Sequence, residues 1–154
     1  MIYKKIMVAV DGSDVSDIAL RHAIKIAQDQ KATLYLIHVA EETFGFRGGV
    51  GYDYDYLISM YRKEGLKVLK QAAKTVKAGS AVKCKILLVE LNSFQGRIAE
   101  VVIDKTKELS IDLLVVGTHG RRGFNHSLRA MESRRRGRVV PGSLRAGCFS
   151  AGKI

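Results

Sequence analysis

The chain has 154 residues, 47% hydrophobic and 27% charged, with a mean hydropathy near zero. That is about one domain of sequence, with enough apolar content to bury a core unaided, and it excludes a low-complexity chain. Cys84 and Cys148 are the only cysteines, which excludes a disulfide framework.

The net charge of +11 invites a nucleic-acid or anion partner, but it is unevenly spread. Residues 127–154 hold seven Lys/Arg against Glu132 alone, a net of +6. Residues 1–126 hold 19 against 14 acidic residues, an ordinary +5. The chain opens MIYKKIMVAVDGS, without the long apolar core of a signal peptide, and no run approaches a membrane span. A soluble, cytoplasmic protein with no membrane partner is expected.

The run KKIMVAV (4–10) is short and apolar and stops at Asp11-Gly12-Ser13, so it predicts a strand buried on both faces. A helix follows, with Ser13 as N-cap and Asp14 and Asp17 in the first turn, where the dipole favours anions. Its inward stripe is predicted as Val15, Ile18, Ala19, His22, Ala23, Ile26 and Ala27. The second strand is 32–39. A glycine-rich loop leads to a long helix, about 54–77, with a stripe at Leu57, Tyr61, Leu69, Ala72 and Val76 and with Gly65 inside it.

The third strand is 82–91. A third helix, 96–109, turns Ile98, Val101, Val102 and Leu109 inward, and 111–117 is the fourth strand. The β-α-β-α-β-α-β order predicts an α/β fold, an open parallel sheet with helices on both faces. After Asn125 the pattern fails. One short amphipathic helix, 128–132, can be drawn, and Val139-Val140 is too brief for a strand before Pro141. The organisation is an α/β domain over 1–126 and an atypical basic tail over 127–154.

Ligands of open α/β sheets sit at the carboxyl ends of the strands, where the winding reverses. Three strand ends carry chemistry: Val10-Asp11-Gly12-Ser13, His38-Val39 and Val116-Gly117-Thr118-His119-Gly120. Gly117 and Gly120 let the backbone approach a ligand, and successive N–H groups in such a turn can cradle phosphate. Arg121 and Arg122 add positive charge beside them. Asp11 can hold a ribose hydroxyl or a metal-bound water.

Together, IMVAVDGSDVSDIAL and DLLVVGTHGRRGF resemble the universal stress protein family over about residues 1–126. The resemblance implies a five-stranded parallel sheet of order 3-2-1-4-5. It also implies adenine-nucleotide (ATP) binding, with Mg or Mn brought by the nucleotide and Asp11 as its one protein contact.

By resemblance, Val10 and Asp11 border the nucleotide, and Val39 offers backbone to the adenine edge. Val116, Gly117, His119, Gly120, Arg121 and Arg122 line ribose and phosphates. The family's ATP-binding pattern, Gly-x2-Gly-x9-Gly-Ser/Thr, matches at Gly117 and Gly120. It fails at Ala130 and Met131, where the second glycine and the hydroxyl residue belong. The family's last strand, which forms homodimers, has no clear counterpart here, nor has its last helix.

The tail has the character of translation in a shifted frame. Met131–Arg136 can be encoded so that a frame two bases on reads Gly-Val-Ala-Glu-Ala, close to the family's Gly-Ser-Val-Ala-Glu. On that reading the fourth strand loses its outer neighbour.

Other features have plainer readings. Gly48-Gly49-Val50-Gly51 lacks the Lys-Ser/Thr of a P-loop and reads as a cover near the site. Tyr52, Tyr54 and Tyr56 read as packing or a partner surface. His22 and His38 read as packing or surface residues, His119 as a loop residue near a ligand, and Cys84 as a small buried hydrophobe. Arg134–Arg138 lacks interleaved aromatics, so it reads as a solvated basic run without specific nucleic-acid binding.

With no set of nucleophile, base and oxyanion donors, the expected function is an ATP-binding stress-response or signalling module, at most a slow ATPase. Two alternatives stand beside it. One is a dimerisation or interaction module of the same fold that binds no nucleotide, as Ala130-Met131 suggests. The other is an adenylating enzyme, against which stands the lack of Ser-Gly-Gly-x-Asp-Ser and His-Ile-Gly-His motifs.

Overall fold

The computed structural model describes residues 2–41, 54–91, 97–117, 139–140 and 146–150. The elements run β1 (Lys5–Ala9), α1 (Asp14–Gln30), β2 (Thr33–Glu41), α2 (Tyr54–Gly79), β3 (Cys84–Leu91), α3 (Ile98–Glu108), β4 (Leu113–Gly117), β5 (Val139–Val140) and β6 (Ala146–Ser150). The sheet order is β3-β2-β1-β4-β6-β5. Strands β1 to β4 are parallel, in the predicted 3-2-1-4 order.

Alternation along the strands splits the core in two. Ile6, Val8, Leu34, Leu36, Leu113 and Val115 face one way and are covered by α1 and α2 through Leu20, Ala23, Ile24, Leu69 and Val76. Met7, Tyr35, Ile37, Leu114 and Val116 face the other way, towards Ala99 and Val102 of α3. Ile6, Met7 and Val8 are fully buried, so β1 is covered on both faces, as its unbroken apolar run predicts.

The inward stripe of α1 differs from the predicted one. Ser16, Ala19, Leu20, Ala23, Ile24 and Ala27 are buried, whereas Ile18 is exposed and His22 only half-buried. The stripe is rotated because Ser16 can go inside: its hydroxyl accepts from Asp11 N at 3.3 Å and donates to Ser13 O at 3.0 Å. Leu20 and Ile24 then follow at i+4 spacing. The Ser13 N-cap is present, its Oγ accepting from Ser16 N at 3.2 Å. At the other end Lys31 takes the left-handed conformation at φ 51° and closes the helix onto Ala27 and Gln28.

Gly65 lies inside α2, where a Cβ would stand 2.7 Å from Leu88 Cδ1 and 2.9 Å from His38 Cδ2. The glycine therefore marks the place where α2 lies closest to β2 and β3. Cys84 is half-buried rather than buried, packed against the edge of the first core.

Beyond β4 the arrangement departs from expectation. Val139-Val140 does form a short strand, and Ala146–Ser150 pairs antiparallel with β4, from Leu113↔Ser150 to Gly117↔Ala146. The outer edge of β4 is thus covered, and by an antiparallel strand in place of a parallel fifth one. An open strand edge presents a row of unpaired N–H and C=O groups, which any extended segment of suitable reach can satisfy. The predicted helix at 128–132 and the Arg134–Arg138 run lie outside the described residues.

Candidate functional site

The chain winds from β1 to β2 to β3 on one side and then crosses β1 to reach β4. The winding direction therefore reverses between β1 and β4. A cleft of about 180 Å³ opens at the carboxyl ends of β1, β2 and β4, with α2 and α3 contributing walls. Five of the predicted site residues fall within the described residues: Val10, Asp11, Val39, Val116 and Gly117. All five line this cleft. His119, Gly120, Arg121 and Arg122 lie outside the described residues, as do Ala130 and Met131.

The turn that carries Asp11 is closed by short-range polar contacts. Ser13 N donates to Asp11 Oδ1 at 2.8 Å, and Asp11 N donates to Ser16 Oγ at 3.3 Å. Gly12, at φ 78°, makes the reversal into α1. Asp11 thus sits at the mouth of the cleft with its backbone fixed to the first turn of α1. The dipole at the N-terminus of α1 is met by the chain's own carboxylates, Asp14 and Asp17 in its first turn with Asp11 just before it.

Val10, Val39 and Val116 are almost fully buried, so their side chains shape the floor of the cleft. At Gly117 the absent Cβ would meet Val15 Cγ1 at 2.7 Å and Val15 O at 3.2 Å. The glycine is therefore required by the approach of β4 to α1, a reason distinct from ligand contact.

Two further residues line the cleft: Ser16, which sequence reasoning did not single out, and His38, which it placed at a strand end and read as a packing or surface residue. Ser16 is buried and lines the cleft, holding Asp11 as described. His38 also lines it, with Nδ1 2.8 Å from the Val10 carbonyl oxygen. A polar residue on an otherwise apolar helix face, five positions after Asp11, was the available signal for Ser16. His38 stands near the end of β2, as the strand-end reading has it.

On the α2 side, Arg62 Nε and Nη2 pair with the Glu90 carboxylate at 2.5 and 3.2 Å, tying α2 to β3. The Arg62 hydrogen bond holds the Glu90 carboxyl below its usual range, with burial opposing. Among the described residues no group of three or more His, Cys, Asp or Glu could hold a metal ion. Nor is any described helix long and apolar enough to cross a membrane.

A strand-end cleft with a carboxylate beside an apolar floor suits a planar base joined to a hydroxyl-bearing sugar. Comparison with known proteins agrees with this architecture. Residues 2–131 match the model of the universal stress protein family. Universal stress protein YxiE of Bacillus subtilis is 32% identical over 134 residues, covering 82% of this chain and 86% of its own.

A crystal structure of a universal stress protein family member from Burkholderia pseudomallei superposes with a TM-score of 0.67 at 30% identity, covering 87% of this chain and 92% of its own. A universal stress protein in complex with cAMP superposes at 0.61 with 25% identity, covering 88% of this chain and 92% of its own. The strand order, the cleft and matches of this extent lead to one conclusion: the chain belongs to the universal stress protein family.

Proposed function

We propose that this chain is a stress-response or signalling module that binds an adenine nucleotide, ATP in the family pattern, in the cleft between β1 and β4. The observation that carries the reading is the convergence of Val10, Asp11, Val39, Val116 and Gly117 on that one cleft. The cAMP complex of a relative with 25% identity supports the adenine class.

In this reading Asp11 accepts from ribose hydroxyls, and the valines cover the base. The segment from Gly117 to Arg122 meets the phosphates. A divalent cation, Mg or Mn, reaches Asp11 only through the bound phosphates. The proposed setting is the cytoplasm and the proposed assembly a homodimer.

Titration calorimetry with ATP, ADP, AMP and cAMP tests this. Asp11→Ala should weaken binding by about tenfold or more, since one hydrogen bond to a charged group is worth about 1.5–3 kcal/mol. Gly117→Ala is a poor probe, because it disturbs Val15. Absence of binding by all four nucleotides at millimolar concentration sinks the reading.

One observation favours a second reading. Ala130 and Met131 replace the glycine and hydroxyl that complete the family's phosphate site. A module that binds no nucleotide and acts through partners would then remain. Restoring Gly-Ser at 130 and 131 separates the two: a gain of ATP affinity over AMP supports a nucleotide site weakened in its phosphate half.

A further inference from the structure

We propose that His38 is a positioning residue for the cleft, fixing the turn that presents Asp11; this rests on the nucleotide reading above. The Val10 peptide is held by β2 at both ends. Its N–H donates to Ile37 O at 2.9 Å, and its carbonyl oxygen lies 2.8 Å from His38 Nδ1. A carbonyl oxygen can only accept, so Nδ1 carries the proton and the neutral ring has its lone pair on Nε2. The next residue is Asp11, held from the other side by Ser16. The imidazole thus sets where β1 ends and where the Asp11 turn begins.

The ring is itself held in place. A Cβ at Gly65 would stand 2.9 Å from His38 Cδ2 and 3.4 Å from Nε2, so the ring edge lies against the backbone of α2. A glycine inside a helix costs about 1 kcal/mol relative to alanine. The chain carries that cost where α2 meets the imidazole and Leu88. Wedged between the Val10 carbonyl and α2, the ring has one orientation, and that orientation carries over to the turn. Neither Gly65 nor the His38–Val10 contact is needed to cap α1, which Ser13 and Ser16 do alone.

Three substitutions separate positioning from bulk. His38→Asn keeps an N–H donor near the place of Nδ1, His38→Gln moves the donor outward, and His38→Leu keeps volume with no donor. The measurements are nucleotide affinity, melting temperature and the backbone amide resonances of Asp11 and Gly12. In the wild type, imidazole ¹⁵N shifts give the tautomer. The expected results are an Nδ1–H tautomer, affinity and amide shifts kept by Asn, and affinity lowered about tenfold by Leu and Gln. The Leu and Gln variants should also shift the Asp11 and Gly12 amides. Gly65→Ala should act in the same direction by pressing on the ring, although it raises helix propensity.

Equal affinities of the Asn and Leu variants, or an Nε2–H tautomer, overturn the proposal. If Leu does not fold, the Asn–Gln pair and the tautomer decide. If the wild type binds no adenine nucleotide, the functional reading fails separately. The tautomer and the Asp11 amide shifts, measured without ligand, still test His38: amides unmoved in the Leu and Gln variants sink it.

Discussion

The four parallel strands and the two antiparallel ones are joined into one sheet by different means. In β1, β2 and β4 the side chains are buried above and below by helices, and each register is tied to a helix packed on it. A one-residue slip there would exchange the two faces of the core. Beside them, β6 pairs antiparallel with β4 from Leu113↔Ser150 to Gly117↔Ala146, and β5 pairs with β6 at Val139 and Val140. Face burial makes the parallel block specific to its sequence, and the antiparallel ladder satisfies the backbone groups on the outer edge of β4. The family match tracks the same division, ending at residue 131, before either antiparallel strand begins.

The largest expected effect lies in the parallel block. Leu36 is fully buried in the central part of β2. Leu36→Ala should cost about 2–5 kcal/mol of unfolding free energy by denaturant titration, because transfer and cavity losses add. Removing residues 139–154 should cost less than that one truncation and should promote association through the bared β4 edge. Sedimentation velocity reads the second effect. If the deletion proves costlier than Leu36→Ala, the antiparallel pair is part of the same cooperative core as the parallel block. A family-like C-terminus in place of residues 131–154, as the shifted reading frame would encode, should raise stability. The coding DNA across codons 120–154 tests whether such a frame is there.

A smaller effect is expected at the amino ends of the strands. Asp112 Oδ2 accepts from Lys4 N at 2.8 Å and from Lys5 N at 3.0 Å, while Asp112 N donates to Lys5 O at 2.9 Å. This one residue starts the β1–β4 ladder at the end opposite the cleft. Asp112→Ala should cost about 1 kcal/mol, since the part-buried Lys5 N–H loses its acceptor while the exposed Lys4 N–H can turn to water. Asp112→Asn, which keeps a carbonyl acceptor, should recover part of it. Nucleotide affinity should stay unchanged in both, and an affinity loss as large as that of Asp11→Ala would mean that the two ends of the sheet are coupled.

The parallel block was readable because its apolar runs and its helix stripes agree with one another. The runs KKIMVAV (4–10) and IDLLVVG (111–117) each end where the structure ends a strand, within about two residues. The face of α1 was harder: Ile18 and Ser16 exchange their expected places because local hydrogen bonds outrank side-chain polarity. Of the site, Val10, Asp11, Val39, Val116 and Gly117 were legible as strand ends. Ser16 was not, and of His38 only the strand-end place was: its contact with the Val10 carbonyl 28 residues away is not visible in one-dimensional spacing. The pairing of β6 was illegible for the opposite reason, since Ala146–Ser150 carries no alternating pattern.

The smallest effect concerns the margin of the parallel block. Cys84 begins the edge strand β3, half-buried against the first core. Burial pushes its thiol above the usual range, and the Lys77 ammonium only partly offsets this. A raised pKa means that the folded state holds the proton more tightly than the unfolded chain does. The associated stability is complete below the ordinary thiol value of about 8.5 and is lost as pH rises through the folded value. Unfolding free energy should therefore decline slightly above that pH, and Cys84→Ala should remove the decline. Alkylation of Cys84 near neutral pH, followed on its own peptide, should run slower in the native protein than in urea, because the thiolate is the nucleophile. Equal rates in the two states would mean that β3 opens freely and that its packing against the first core does not hold this margin of the sheet.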